Sequence, residues 1–432
     1  MPIVSAAPDR TLAWGSTRLP LPESWRELPW LEPNPDAAPA APAAPAQPAF
    51  AAAVRAAAVR AARELRGAAR LALIVPDRTR PLPLPAMLPA MLDALTEAGV
   101  PDDRIDLVPA SGMHRAMSPA ELRDWIGPGA AARVAALPHD ADAPAAFLGT
   151  TPSGIPVAAH PAVARAGAVL ALGRIVFHYL AGFGGGRKML VPGVAARETI
   201  LAVHRRCLST RPGAGRHPLA RAGVLEGNPV HEAAVEAARL FPPVTVLHVA
   251  LDPGGALWAE PGDPFADHAR AAARYAAAHR VRLDAPLDAV VVSAGGAPAD
   301  RDLVQAHKAL DAVSPVVRDG GTVVLVAACG DGAGNHELVE GLALGPPSVI
   351  EAELRRDFRV GLHTALALAE KTRRLRVLAL TGLPDELLAV ARIERVGSLD
   401  EAARALAAVG GPGARRAIAP RGGSLLYEVV PG

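Results

Sequence analysis

Leu71-Ala72-Leu73-Ile74-Val75, followed at once by Pro76-Asp77-Arg78-Thr79-Arg80-Pro81, is a short apolar run that stops in a polar, proline-bounded turn. Runs of this length bounded by turn residues read as strands. The pattern recurs at Ile105–Pro109, Ala168–Leu172 and Val244–Leu251, each followed by a polar or glycine-containing turn and then a helical pattern. Strands alternating with helices predict an α/β protein with mainly parallel sheets. A helix over Phe50–Arg66 leads directly into the first strand, and the Ala/Pro stretch Asp36–Pro48 before it reads as an extended connector. Around Arg280–Pro286 the alternation restarts: strand Ala289–Ser293, helix Asp302–Val316, strand Thr322–Ala328, helix His363–Arg373, strand Val377–Thr381. The expectation is therefore two α/β domains, residues 1–280 and 281–432, with the last region, about 412–432, packing back on the first. There is no internal repeat of fixed period.

Composition narrows the class. With 432 residues and 50% hydrophobic content the chain can bury a large core. A formal net charge of +2 without basic blocks, and only 3% aromatic residues, argue against a nucleic-acid partner. Cys207 and Cys329 are too few for a disulfide framework or a cysteine zinc site, which fits a reducing cytoplasm. Met1–Gly15 carries no basic segment followed by an apolar run, and no stretch approaches the ~20 apolar residues of a membrane span. A cytoplasmic location without membrane contact is expected.

In open α/β sheets ligands bind beyond the carboxyl ends of the strands, so the residues after each strand matter most. The first strand delivers Arg80, whose fork can hold a carboxylate, with Asp77 placed to orient it. The second delivers Ser111-Gly112-Met113-His114-Arg115, and a histidine there is a candidate acid/base. The third leads through Gly173-Arg174 to His178, the run Gly184-Gly185-Gly186, Lys188, Pro192-Gly193 and a helix reaching His204. Consecutive glycines let backbone N–H groups approach a phosphate or flat ligand. This is no Walker loop, because Arg187 precedes the lysine and Met189 replaces the hydroxyl residue, and no G-x-G-x-x-G fingerprint follows a strand. Of 45 basic residues only Lys188, Lys308 and Lys371 are lysine. Unlike arginine, a lysine amine can lose its proton and bond covalently to an electrophilic carbon. In the second half Gln305 and Lys308 lie three apart, on one helix face, as a neutral and a cationic donor. The loop Cys329-Gly330-Asp331-Gly332-Ala333-Gly334 either lines a cleft or merely turns.

Taken together, Asp77-Arg78-Thr79-Arg80-Pro81, Gly112-Met113-His114-Arg115, His178 with Ala181-Gly182-Phe183-x-Gly185-Gly186-x-Lys188, Pro192-Gly193 with Glu198-Thr199-Ile200 and His204, and Gln305-x-x-Lys308 resemble the nickel-pincer-nucleotide-dependent lactate racemase family in order and spacing. The similarity runs from about Leu71 to Gly334. The resemblance implies two α/β domains with the active site in the interdomain cleft. It implies a nickel complex of a pyridinium-3-thioamide-5-thiocarboxylic acid mononucleotide tethered to Lys188, with His204 as protein ligand to nickel and Asp77, Thr79, Gly184, Gly185 and Gly186 at the cofactor. His114 and His178 become the acid/base pair, Arg80 the carboxylate anchor, and Gln305 with Lys308 a polar clamp.

The implied reaction inverts the C2 centre of a small-molecule 2-hydroxy acid by reversible hydride transfer through a 2-keto acid, and accessory proteins would have to build the cofactor. Three positions depart from the family pattern. Val304 stands where tyrosine is frequent, Met113 where a smaller polar residue is usual, and Gly184 where serine is usual, its backbone N–H remaining available. Larger or more apolar 2-hydroxy acids and sugar acids stay compatible. A 2-hydroxy acid oxidoreductase would use the same histidines and Arg80 but release keto acid, and a non-catalytic cofactor carrier would need Lys188 and His204 but not Arg80, His114 and His178 together.

Overall fold

A computed structural model describes residues 11–33, 47–65, 69–80, 82–251, 257–411 and 413–430. Most of the expected connector Asp36–Pro48 therefore lies outside the described residues, as does Pro81.

The chain divides into two compact units, one of Ala40–Cys207 with Leu219–Tyr275 and the other of Met1–Pro39, Leu208–Pro218 and Ala276–Gly432. The first holds a six-stranded sheet in the order Leu257–Gly262, Val244–Leu251, Ala168–Arg174, Leu71–Pro76, Ile105–Ala110, Ala135–Ala136. All neighbours are parallel except the first pair. Leu71 to Val75 are completely buried, so this strand is covered on both faces, as a continuous apolar run requires. Helices Gln47–Glu64 and Leu84–Glu97 pack together over the face that carries Leu71, Leu73, Val75, Leu107, Leu170 and Leu172. Burying each such leucine side chain contributes about 1.5–3 kcal/mol before chain entropy is counted.

The second unit holds five parallel strands in the order Ile393–Arg395, Arg376–Leu380, Val317–Val326, Leu287–Ser293, Arg416–Ala419. The strands read from the sequence are present in both sheets; the predicted helix Asp302–Val316 is an α-helix over Leu303–Val313 followed by a 3-10 turn over Ser314–Val316. The division of the chain differs from a single cut near residue 280. Leu12, Trp25 and Trp30 join the apolar cluster of Val291, Val324 and Ile418, and Trp30 bridges to Ile418. Leu208–Pro218 is held in the same unit: Glu351 accepts from the Gly213 and Gly215 amides, and Arg216 pairs with Glu370 at 2.7 Å. The described end of the chain pairs within the second unit. Arg416–Ala419 extends the second sheet beside Leu287–Ser293, and Leu426–Val429 pairs with Arg280–Leu283. Among the described residues no helix is long and apolar enough to cross a membrane.

Candidate active site

Strands Leu71–Pro76 and Ile105–Ala110 run in register, Pro76 opposite Ala110, so the turns that follow them emerge side by side. Asp77 is buried at the first turn, and its Oδ2 accepts from Nδ1 of His114 in the second at 2.6 Å. Its Oδ1 accepts from the Thr79 amide at 3.1 Å and the Thr79 hydroxyl at 2.7 Å. Burial alone raises the Asp77 carboxyl, but the His114 hydrogen bond and charge, Thr79 and the nearby Arg80 more than offset it, and the net shift is downward. The carboxylate is thus ionised at neutral pH. A proton on His114 Nδ1 leaves the lone pair on Nε2, the arrangement of a general base.

This pairing corrects the reading in which Asp77 orients the Arg80 fork. Arg80 Nη1 donates instead to the carbonyl and hydroxyl of Thr79, at 3.0 and 3.3 Å. Burial pushes the half-buried Arg80 guanidinium below its ordinary value, and the Asp77 charge draws it back up. A second guanidinium, Arg174 at the end of Ala168–Arg174, is lowered by burial and then by the like charge of Arg80, against a rise from Tyr275. Its signal in the sequence was a cation terminating an apolar strand. Arg80→Lys keeps charge but loses the bidentate fork, so kcat/KM for a hydroxy acid is expected to fall more than about tenfold, or about 1.4 kcal/mol. Unchanged kinetics would remove Arg80 from the substrate site.

His178 lies in a short hairpin, Phe177–His178 against Gly182–Phe183. Its Nδ1 accepts from the amides of Leu180 at 3.3 Å and Ala181 at 3.2 Å. The glycines that follow are packed closely against their neighbours. A Cβ on Gly185 (φ +70°) would sit 3.0 Å from the Arg174 carbonyl, and one on Gly186 (φ +52°) 2.4 Å from the His268 ring. The Gly184 amide is not available as expected, because it donates to the Val176 carbonyl at 2.8 Å. Arg187, missed in the sequence, is fully buried and clamps this loop, donating to the carbonyls of Ala181 at 2.6 Å and Phe183 at 3.0 Å. Burial lowers its guanidinium to about 9.

Lys188 follows in the 3-10 turn Gly186–Met189, half-buried, its amide donating to Gly185. Gly193 ties it to the histidine turn: the Gly193 amide donates to the Lys188 carbonyl at 3.1 Å, and its carbonyl accepts from Gly112 at 2.9 Å. A Cβ on Gly193 would lie 2.2 Å from the Met189 carbonyl, so only glycine allows this approach.

His204 ends helix Arg197–His204, which Thr199 anchors by donating to Pro156 at 2.9 Å and accepting from the Ala158 amide at 3.0 Å. His204 Nδ1 donates to the Ile200 carbonyl at 2.8 Å, which fixes the tautomer and leaves the lone pair on Nε2, as a metal-binding imidazole requires. Among the described residues no three histidine, cysteine or carboxylate groups are placed to hold a metal. His204 Nε2 is the one donor of this helix end that could face a metal.

Gln305 and Lys308 belong to the second unit, on helix Leu303–Val313. Asp302 caps that helix through the Gln305 amide at 2.8 Å, and Lys308 Nζ donates to Gln305 Oε1 at 2.6 Å, which places both on one face. Lys371, the third lysine, is structural. It is buried against Asp311 at 2.5 Å and the Ala367 carbonyl at 2.7 Å, and burial lowers its amine to about 8.

Adjacent strand-end turns of an α/β sheet thus carry an Asp–His pair and an arginine, and the same unit holds the lysine turn and the helix-terminal histidine. The lactate racemase N-terminal domain profile matches residues 15–215 and the lactate racemase C-terminal domain profile matches residues 283–358, so the chain belongs to the lactate racemase family. It is 30% identical over 280 residues to lactate racemase of Thermoanaerobacterium thermosaccharolyticum, covering 62% of each chain. With lactate racemase of Lactiplantibacillus plantarum it shares 29% over 290 residues, 64% of each. The matched region thus spans just under two thirds of these relatives. The fold is similar to the lactate racemase apoprotein of T. thermosaccharolyticum, with a TM-score of 0.80 at 24% identity over 96% of this chain and 99% of that one. It is also similar to a Thermotoga maritima protein, with a TM-score of 0.64 at 17% identity over 88% of this chain and 98% of that one.

Proposed function

We propose that the protein is a racemase or epimerase of a 2-hydroxy acid. The observation that carries this reading is the Asp77–His114 dyad sharing adjacent strand-end turns with Arg80, which offers a base and a carboxylate anchor in one place. A nickel-pincer nucleotide, tethered at Lys188 with His204 on nickel, would supply the acceptor and donor of hydride at the substrate Cα. Arg80 binds the carboxylate. His114 takes the hydroxyl proton, Asp77 stabilises the imidazolium that results, and His178 is the second histidine at the substrate oxygen. Removing the Cα hydrogen as hydride rather than as a proton avoids building a second negative charge beside the carboxylate.

The test starts from one enantiomer deuterated at Cα and protein produced together with the cofactor-building enzymes. The opposite enantiomer is expected to appear with most of the label retained, because the Cα hydrogen never exchanges with water. Washout into solvent would indicate proton abstraction, and stoichiometric keto acid would indicate an oxidoreductase.

A further inference from the structure

His268 takes no part in the reaction as drawn so far, yet the loop that carries Lys188 is built around it. It stands in the first turn of helix Ala266–His279 and is completely buried. Its Nε2 donates to the Gly184 carbonyl at 2.9 Å, since a carbonyl can only accept. Arg187 Nη1 lies 3.3 Å from Nε2 and 3.5 Å from Nδ1 of the same ring. An in-plane approach that close to both nitrogens would run into the ring carbon between them, so the guanidinium sits over the ring face. Gly186 meets the ring as well: a Cβ there would fall 2.4 Å from both Cγ and Cδ2. A carbonyl, a glycine backbone and an arginine thus rest on one imidazole, in the stretch that ends at Lys188.

The ring is neutral and firmly seated. Burial, and after it the Arg187 charge, hold His268 well below the ordinary imidazole value, so no second charge opposes the guanidinium. The helix entry is fixed by Asp267, whose carboxylate accepts from the Asp263 amide at 2.8 Å, and the Pro264 carbonyl just before the helix accepts from the Arg187 amide at 3.2 Å. Among the described residues no carboxylate offsets the buried Arg187 charge, which leaves the ring face and the Ala181 and Phe183 carbonyls to hold it. Gly184, Gly185 and Gly186 would otherwise give the backbone before Lys188 wide freedom. Freedom of that kind is lost only where contacts from outside the loop fix it.

We propose that His268 is a positioning residue for Lys188: its imidazole, with Arg187 stacked on it, is the template on which the glycine loop sets, and so fixes how the lysine amine is presented. The use of that presentation rests on the tether reading, in which the amine bonds to an electrophilic carbon of the nucleotide. An amine on an ordered loop reacts faster than one on a loose loop, because its ordering entropy is lost on folding instead of on reaction.

Hydrogen exchange of full-length protein made without cofactor gives the first test. His268→Ala should speed exchange in peptides covering Ala181–Leu190 about tenfold or more, while peptides covering Ile105–Ala110 keep the wild-type rate. His268→Gln, which still offers an N–H to the Gly184 carbonyl, should restore most of the protection. If the alanine variant does not fold, His268→Phe, which keeps a ring under Gly186 and Arg187 but cannot donate, takes its place. His363→Ala, which removes a buried histidine from the other unit, should leave both sets of peptides unchanged.

The second test is the denatured intact mass of protein produced together with the cofactor-building enzymes. The fraction carrying the adduct should fall to about a tenth or less in His268→Ala and recover in His268→Gln, in step with loop protection. His363→Ala should carry the adduct as wild type does. Wild-type exchange in the loop of His268→Ala, or exchange that rises equally through the whole chain, would overturn the proposal, and so would a loosened loop with undiminished adduct. If the loop loosens as expected but wild type itself carries no adduct on Lys188, the tether reading fails and His268 remains the template of the loop.

Discussion

Lys188→Arg protein, produced alongside the cofactor-building enzymes and denatured, is expected to show its unmodified mass, while wild type carries the mass of the nucleotide adduct. Arginine preserves length and charge but stays protonated and cannot form the tether. The fold should survive. The hydrogen bonds of Lys188 to Gly185 and Gly193 are backbone bonds that any residue can make, and the loop is clamped separately by Arg187. His204→Ala leaves the amine in place, so it should retain the covalent organic adduct but lose or weaken nickel, one imidazole ligand being gone. Both variants should be inactive, for different reasons. The measurement pairs denatured intact mass with metal analysis of the native protein. An adduct persisting on the same peptide in Lys188→Arg would refute the tether, and wild-type nickel affinity in His204→Ala would refute the ligand.

The strands around these residues were legible because a buried parallel strand must be apolar throughout, and that requirement is local. What the sequence hid is long-range. Asp77 and His114 meet only because two strands pair in register, and from the sequence alone Arg80 was the nearer partner for the carboxylate. Nor does the sequence show that the atoms which forbid side chains along the glycine run belong to Arg174 and His268. The Arg187 clamp depends on contacts across a folded loop and leaves no pattern along the chain. Scarcity of lysine was an incomplete guide: it marked Lys188 and Lys308 but equally Lys371, whose amine fills a buried site beside Asp311. Nor does any boundary signal show that residues 11–33 complete the core of the second unit; that follows from where Leu12, Trp25 and Trp30 pack.

Asp77→Asn separates chemistry from stability at the dyad. The substitution keeps the size of the side chain and one acceptor oxygen but removes the charge that stabilises a protonated His114, and it no longer selects the Nδ1–H tautomer. Catalytic efficiency is expected to fall about a hundredfold or more, the range for losing a positioned acid/base group. The stability loss should be much smaller. The His114 side chain is 52% exposed, so water screens its charge on the buried Asp77 and the pair itself adds little to stability. Its pH dependence has a definite sign. The Asp77 carboxyl is lower in the folded protein than the ordinary value of about 3.9, so its contribution is fully present above that value and is lost as pH falls through the depressed one. Denaturant unfolding of wild type and Asp77→Asn should therefore differ above the ordinary carboxylate range and converge in strong acid, where the wild-type carboxyl is protonated too. A variant that loses activity in proportion to stability, with the two curves parallel into strong acid, would make the dyad a structural contact; a large activity loss with a small, converging stability difference places Asp77 behind the base.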